Sequence, residues 1–326
     1  MKDGIILSHK GGSTVSAVRD WLDSAHRALT EHTDVLNDLN VFPVADSDTG
    51  VNLSTTVGYA TEAAQLIEGN DIGELLQHAG RTALEQARGN SGVLMALTLT
   101  AMGTSLEGSM RVTAGELRDA FSAAQVRCWS ALTDPVEGTM ISVLDAVSKV
   151  SLPENSQDGS NQQLSDWLDL VIDRGSHAVI DTVEQLPVLH ERGTVDSGAL
   201  GMLIVLVELR AALTGDEQRH KPVPDIIRDY SDHTGYQDNH DCAGFEVMCT
   251  VKLSALDAAE LRHELDSAGD SVLVSAVSES DNDEYTWRVH VHIADPEEAL
   301  ALMHARGHAV NVSVTPLGSD DHRVSP

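Results

Sequence analysis

The sequence is short of aromatic and of basic residues. Phe, Trp and Tyr together make up 3% of its 326 residues, although 41% are hydrophobic. A core must therefore be built from Leu, Val, Ala, Ile and Met, a mix that favours packed helices. Lys and Arg number 21 against 51 Asp and Glu, for a net charge of -30. Such a chain repels nucleic acid and anionic membranes, which are bound through basic patches. A phosphate site would need metal ions, helix N-termini or a few local arginines; the bland reading of the acidity is solubility. Cysteine is scarce as well. Cys128, Cys242 and Cys249 are an odd, sparse set, which argues against a disulfide scaffold and for a reducing cytoplasm. The apolar run in "MKDGIILSHKGGS" is too short for a signal peptide. The longest apolar run, "ALGMLIVLVEL" over 199–209, falls short of the ~20 residues that span a bilayer and reads as a buried core helix.

Residues 14–212 read as successive helices, with almost no strand-like alternation. The first is "TVSAVRDWLDSAHRALTEHTDVLNDLN" and the last "LGMLIVLVELRAAL". The polar stretch 215–240, with two prolines, reads as a linker. Beyond it "FEVMCTVKL", "SVLVSAVS", "YTWRVHVHIA" and "VNVSVTPL" are β-rich, with two helical segments interleaved. The expected architecture is mainly α: a helical domain over 1–214, then a small α+β domain over 241–326. No internal repeat is visible.

The run "NVFPVADSDTGVN" places Asp46 and Asp48 one residue apart, followed by Thr49, Gly50 and Asn52. An EF-hand loop is excluded, because its twelfth position would be Val57 and not Glu. A helix-capping turn and a metal site both fit these residues. Three further small-residue loops run into helix starts: "ARGNSG" with Asn90, Ser91 and Gly92, "PVEGTM" with Gly138 and Thr139, and "VDSGALG" with Asp196. Helix N-termini carry free N–H groups and favour anions. One such loop is ordinarily a cap; four in one domain suggest a shared polyphosphate site, with the two carboxylates holding Mg²⁺. In the second domain His290 and His292 alternate with Val289, Val291 and Ile293. On a strand both imidazoles face one side, either as an exposed polar face or as part of a zinc set with a distant Cys. Cys249 lies inside a strand segment and reads as core.

These four motifs, in this order, resemble those of the DhaL-type nucleotide-binding domain in its fatty acid kinase branch, where the first run looks like "NVFPVPDGDTGTN". The resemblance covers roughly residues 10–214. It implies a barrel of antiparallel helices with Mg-ATP at one end. Asp46 and Asp48 would be the Mg²⁺ ligands and the catalytic pair. Asn40 falls where the dihydroxyacetone kinase branch has a further acidic ligand. Thr49, Gly50, Asn52, Asn90, Ser91, Gly92, Gly138, Thr139 and Asp196 would contact or shape the nucleotide site. This chain departs from the family's pattern with Ala45 for Pro, Ser47 for Gly and Ala199 for Gly; Ser47 fits only if that position does not need a positive φ. "DCAGF" and "VHVHIADP" resemble a pair of motifs in the family's small second domain, which implies a Zn²⁺ site of Cys242, His290 and His292. The Thr-Glu that follows the Cys in the family is missing here.

By this resemblance the chain is a kinase subunit without the family's C-terminal carrier-binding domain. It would pass the γ-phosphoryl of Mg-ATP to an acyl carboxylate presented by a separate fatty-acid-binding carrier protein. Homodimerisation is a further family expectation. The alternatives are a dihydroxyacetone kinase-like transfer to a hydroxyl, a nucleotide-binding regulator or scaffold without turnover, and a zinc-stabilised structural protein.

Overall fold

A computed structural model describes residues 14–152, 159–216, 222–231, 244–279 and 284–317. Among these residues the helices α1 (Val15–Glu31), α2 (Thr33–Asp38), α3 (Thr49–Leu66), α4 (Ile72–Gln86), α5 (Gly89–Ser105) and α6 (Ala114–Ala131) come first. Then follow α7 (Met140–Ser148), α8 (Asn161–Gln185), α9 (Pro187–Arg192), α10 (Ser197–Thr214) and α11 (Val223–Ser231). The second part is β1 (Phe245–Ser254), α12 (Ala255–Ala268), β2 (Asp270–Glu279), β3 (Glu284–Ile293), α13 (Pro296–His304) and β4 (Ala309–Pro316). The chain is thus mainly α with a small α+β domain, as its patterning predicts.

Eight helices close a ring. α1 packs on α3, and α4, α5, α6, α7, α8 and α10 follow in turn until α10 returns to α1. The interior is Leu, Val, Ala and Met, with Trp21, Phe121 and Trp167 as its large aromatic members. Buried polar groups of these side chains are satisfied: Trp21 Nε1 donates to the Val205 carbonyl at 2.9 Å and Trp167 Nε1 to that of Val150 at 3.1 Å. Helix α10 is apolar on all sides because it is buried on nearly all of them. It is the one described helix long and apolar enough to cross a membrane, and 72% of it is buried in the barrel.

Two details differ from the periodicity. The single helix expected after residue 14 is two, parting at His32 between α1 and α2. The stretch expected to be a linker contains α11, whose Val223 and Ile226 are buried against the helical core. Val223, Ile226, Ile227 and Tyr230 have helical spacing, and Pro224 sits in the first turn, where its missing N–H costs nothing.

The four strands form one antiparallel sheet in the order β2-β3-β1-β4. One face, with Val247, Cys249, Val251, Val289 and Val291, forms a second core with residues of α12 and α13. Cys249 is core, as its strand context suggests. The opposite face is buried yet polar, carrying Glu246, Thr250, Arg288, His290 and His292 around Met248. It lies against the barrel, with Met248 and Leu273 joining the barrel's own core.

The seam between the two parts is made by arginines donating to main-chain carbonyls. Arg262 on α12 donates to Ser130 O at 3.0 Å, to Thr133 Oγ1 at 2.9 Å, and to Leu132 O. Arg127 on α6 reaches Ala276 O at 2.8 Å, and Arg288 on β3 reaches Ala87 O at 3.0 Å. Leu132 also bridges to Leu273, so the segment after α6 covers part of the edge of β2. Truncating Arg262 strands several acceptors. Arg262→Ala is expected to lower stability by about 2 kcal/mol, read as an earlier midpoint in urea unfolding. Arg262→Lys should recover only part of it, since a point charge cannot reproduce the guanidinium fork. An unchanged midpoint in Arg262→Ala would place the strength of the seam elsewhere.

Candidate functional site

The helices that start from the four small-residue loops are α3, α5, α7 and α10. They are every second member of the ring. In a ring of alternating directions, every second helix points the same way, so their N-termini gather at one end. A cavity of about 490 Å³ lies there. The barrel supplies most of its wall. The sheet domain closes the other side with Glu246, Asp266, Gly269, Asp270, Ser271, Val272 and His292. The wall carries seven carboxylates and no lysine or arginine.

Asp46 and Asp48 face this cavity. Asp48 holds the N-cap position of α3 but makes no side-chain cap bond. That task falls to Asn37 on α2, whose Oδ1 accepts from Gly50 N at 2.8 Å and from Val51 N at 3.3 Å. Asn37 can come so near only because position 50 has no Cβ; one there would run into Thr33 O and Asn37 Oδ1. The turn therefore does not use its carboxylates as caps. Asn40 Nδ2 donates to Asp46 Oδ1 at 2.6 Å. Burial, the Asp48 charge and a hydrogen bond between the two carboxyls push Asp46 up to about 8, against the lowering effect of the Asn40 amide. Without a cation, the pair shares a proton at neutral pH.

Ser47 between them has φ +56°. The position does take the left-handed conformation, so the exchange of Gly for Ser carries a strain cost of about 1–2 kcal/mol.

The other expected residues divide into two groups. Thr49, Asn52, Asn90, Ser91, Thr139 and Asp196 line the cavity with Asn40. Gly50, Gly92 and Gly138 lie behind the wall, where the last two let Thr56 and Leu186 pack close. Asn52 Nδ2 and Asn90 Oδ1 are buried without a partner, as are few polar atoms in folded proteins unless a ligand or water serves them. Asp196 is fully buried and caps two helices. Its Oδ2 accepts from Ala199 N of α10 at 2.7 Å, and its carboxylate also accepts from Met140 N of α7. Burial pushes it up to about 7, with these backbone bonds opposing.

His290 and His292 do face one side of β3, their ring centroids 4.8 Å apart. Cys242 lies outside the described residues. Glu246, opposite His292 on β1, completes a set whose ligand atoms all lie within 4.8 Å of one another. His290 Nδ1 is 3.0 Å from Ser271 O and its Nε2 is 3.1 Å from Glu246 Oε1. A carbonyl only accepts, so Nδ1 carries a hydrogen; between Nε2 and the carboxylate there must then be a proton or a cation. His292 Nδ1 is buried without a hydrogen-bond partner. Burial, then the His290 charge, depress His292 to about 3, so its ring is neutral and able to ligate. Burial alone would raise Glu246; the hydrogen bond and charge of His290, aided by His292 and Gly89 N–H, outweigh it and hold the carboxyl near about 2. Two imidazoles and a carboxylate, one imidazole oriented by a carbonyl, suit Zn²⁺.

Residues 43–211 match the DAK2 domain. The chain belongs to the DAK2 domain family. Behind its DAK2 domain, residues 243–323 match the FakA-like middle domain, a domain of fatty acid kinases. Similar curated proteins include an uncharacterized protein of Staphylococcus epidermidis, 28% identical over 307 residues, which are 90% of this chain and 53% of the relative. Another, from Staphylococcus aureus strain USA300, is 27% identical over 304 residues, 90% of this chain and 54% of the relative. The chain spans about half the length of the curated relatives it matches.

Two outcomes follow for the carboxylate turn of the DAK2 domain. Ser47→Gly should raise thermal stability by about 1 kcal/mol, the released strain being partly offset by the entropy of glycine in the unfolded chain. Asp46 is raised from 3.8 to about 8, so the folded state binds a proton that the unfolded chain has released. Its contribution is complete below pH about 4 and is lost as pH rises toward 8. In chelator, Asp46→Asn should therefore melt progressively above wild type as pH increases from 5.5 to 8.5. Parallel melting curves would refute the shared proton.

Proposed function

We propose that this chain binds Mg-ATP at the open end of the barrel and donates the γ-phosphoryl group to a fatty acid carboxylate presented by a separate carrier protein. The observation that carries this reading is the meeting of four helix N-termini and a carboxylate pair at a cavity without lysine or arginine. A polyphosphate needs positive charge, and here only backbone N–H groups and divalent cations can provide it. Asp46 and Asp48 would hold Mg²⁺, with the Asn40 amide fixing the orientation of Asp46. When bound, Mg²⁺ supplies neutralisation of the phosphate oxygens during transfer. Asn52, Asn90, Ser91 and Thr139 offer polar side chains to the nucleotide, while Asp196 shapes the cavity by fixing the starts of α7 and α10 together.

The acceptor is chosen from the second domain. Its similarity to a fatty acid kinase middle domain favours a carboxylate over the hydroxyl of dihydroxyacetone. A carboxylate is already ionised at neutral pH. One of its oxygens would form the bond to the γ-phosphorus as the bond to the bridging oxygen of ADP breaks, giving an acyl phosphate and ADP. No proton has to be moved, so no residue is assigned as general base. Zn²⁺ would be held by His290 and His292 with Glu246, and with Cys242 if the family resemblance extends to it.

The test is an ATP titration by calorimetry with and without Mg²⁺. Wild type should bind only with Mg²⁺, and Asp46→Asn and Asp48→Asn should both lose that binding while remaining folded. ADP formation on adding a carrier loaded with fatty acid would then establish the acceptor. A folded wild type that ignores Mg-ATP would end the kinase reading, and binding without turnover on any loaded carrier would favour a regulator.

A further inference from the structure

One carboxylate belongs both to the sheet's metal set and to the barrel's phosphate-facing end. Glu246 Oε1 accepts from Gly89 N at 3.2 Å and faces His290 Nε2 at 3.1 Å. Gly89 is the first residue of α5, so this N–H is one of the donors that a helix start leaves for an anion. Both Gly89 and Glu246 border the cavity. Three buried polar atoms without partners surround them, Asn52 Nδ2, Asn90 Oδ1 and His292 Nδ1. Gly89 has φ +59°, and a Cβ there would collide with the Asn52 amide, so the loop holds Asn52 and this N–H side by side.

We propose that Glu246 is a positioning residue that links occupancy of the Glu246–His290–His292 metal set to the affinity for Mg-ATP. Without a metal, the full charge of the carboxylate lies on the Gly89 N–H. It occupies a donor that a phosphate could use, and it adds negative charge beside the polyphosphate. A divalent cation held by Glu246 and the two imidazoles withdraws that charge. The carboxylate then grips Gly89 N–H less strongly and repels phosphate less. Both effects act in the same direction: the metal-loaded protein binds Mg-ATP more tightly. By reciprocity, Mg-ATP must tighten the metal by the same factor. The inference rests on the Mg-ATP reading given above, and adds a second cation with a regulatory part.

The test uses the full chain, stripped with chelator and returned to Mg²⁺. A non-hydrolysable ATP analogue is titrated by calorimetry before and after addition of one equivalent of Zn²⁺, and Zn²⁺ is titrated with and without the analogue. Wild type is expected to bind the analogue at least about fivefold more tightly with Zn²⁺, and Zn²⁺ more tightly by an equal factor with the analogue. Glu246→Gln keeps the shape and removes the charge. Without Zn²⁺ it should match the loaded wild type, and added Zn²⁺ should change nothing. His292→Ala removes a ligand and leaves Glu246 on Gly89. It should bind Zn²⁺ weakly and stay at the low nucleotide affinity of stripped wild type. Zn²⁺ that binds without altering nucleotide affinity, or a Glu246→Gln protein that still responds, overturns the linkage and leaves the nucleotide site intact. Failure to bind Zn²⁺ overturns it too. Absence of Mg-ATP binding in every state would instead overturn the reading on which the linkage rests, and the linkage with it.

Discussion

Two carboxyl groups pressed together under partial burial are the costly feature around which the cavity is organised. Nothing about such a pair favours folding. Burial raises Asp46, and Asp48 raises it further. The surroundings are arranged so that the pair is nevertheless held: Asn37 takes over the capping of α3, Gly50 lets α2 come near enough for it to do so, and Asn40 clamps one oxygen of Asp46. Even the residue between the aspartates sits in a conformation that Ser tolerates poorly. Local rules are broken here in a cluster, as is common where a protein is shaped for a ligand and not for its own stability.

The sheet domain contributes a wall and not merely an attachment. Its barrel-facing side is polar though buried, an expensive choice unless each group is served. The arginine bonds across the seam provide much of that service. Arg127, Arg262 and Arg288 all end on backbone carbonyls of the opposite part. A guanidinium suits this task, because its fork addresses several acceptors at fixed angles. Because the seam is fixed in this way, Glu246 and His292 stand at a defined place beside the barrel's helix starts.

Much of this could be read from the sequence, for reasons that differ by element. The barrel helices have long periodic apolar runs, and their starts are marked by Gly, Ser, Asn and Asp. The pairing of His290 with His292 follows from strand alternation alone. Glu246 was the residue that local patterning did not single out. In "FEVMC" it looks like the solvent half of an alternating strand, and only the sheet register, which sets it opposite His292, shows it buried among imidazoles. The signal was present in principle: a strand with His at two alternate positions needs a partner strand whose facing positions can answer them. Helix α11 was obscured by the prolines and charges around it, although its four apolar positions have helical spacing. The wall residues Asp134, Asp266 and Asp270 carry no local mark. They are ordinary surface acids until the two domains meet.

The double cap made by Asp196 ties together two pieces of chain that are otherwise far apart in sequence. The start of α7 and the start of α10 hang from one buried carboxylate, so neither helix can fray at that end without releasing the other. In hydrogen-exchange terms the Met140 and Ala199 amides belong to one opening unit. One side of the cavity therefore behaves as a single stiff part, while the turn at Asp46 to Asp48, capped from α2, can adjust independently.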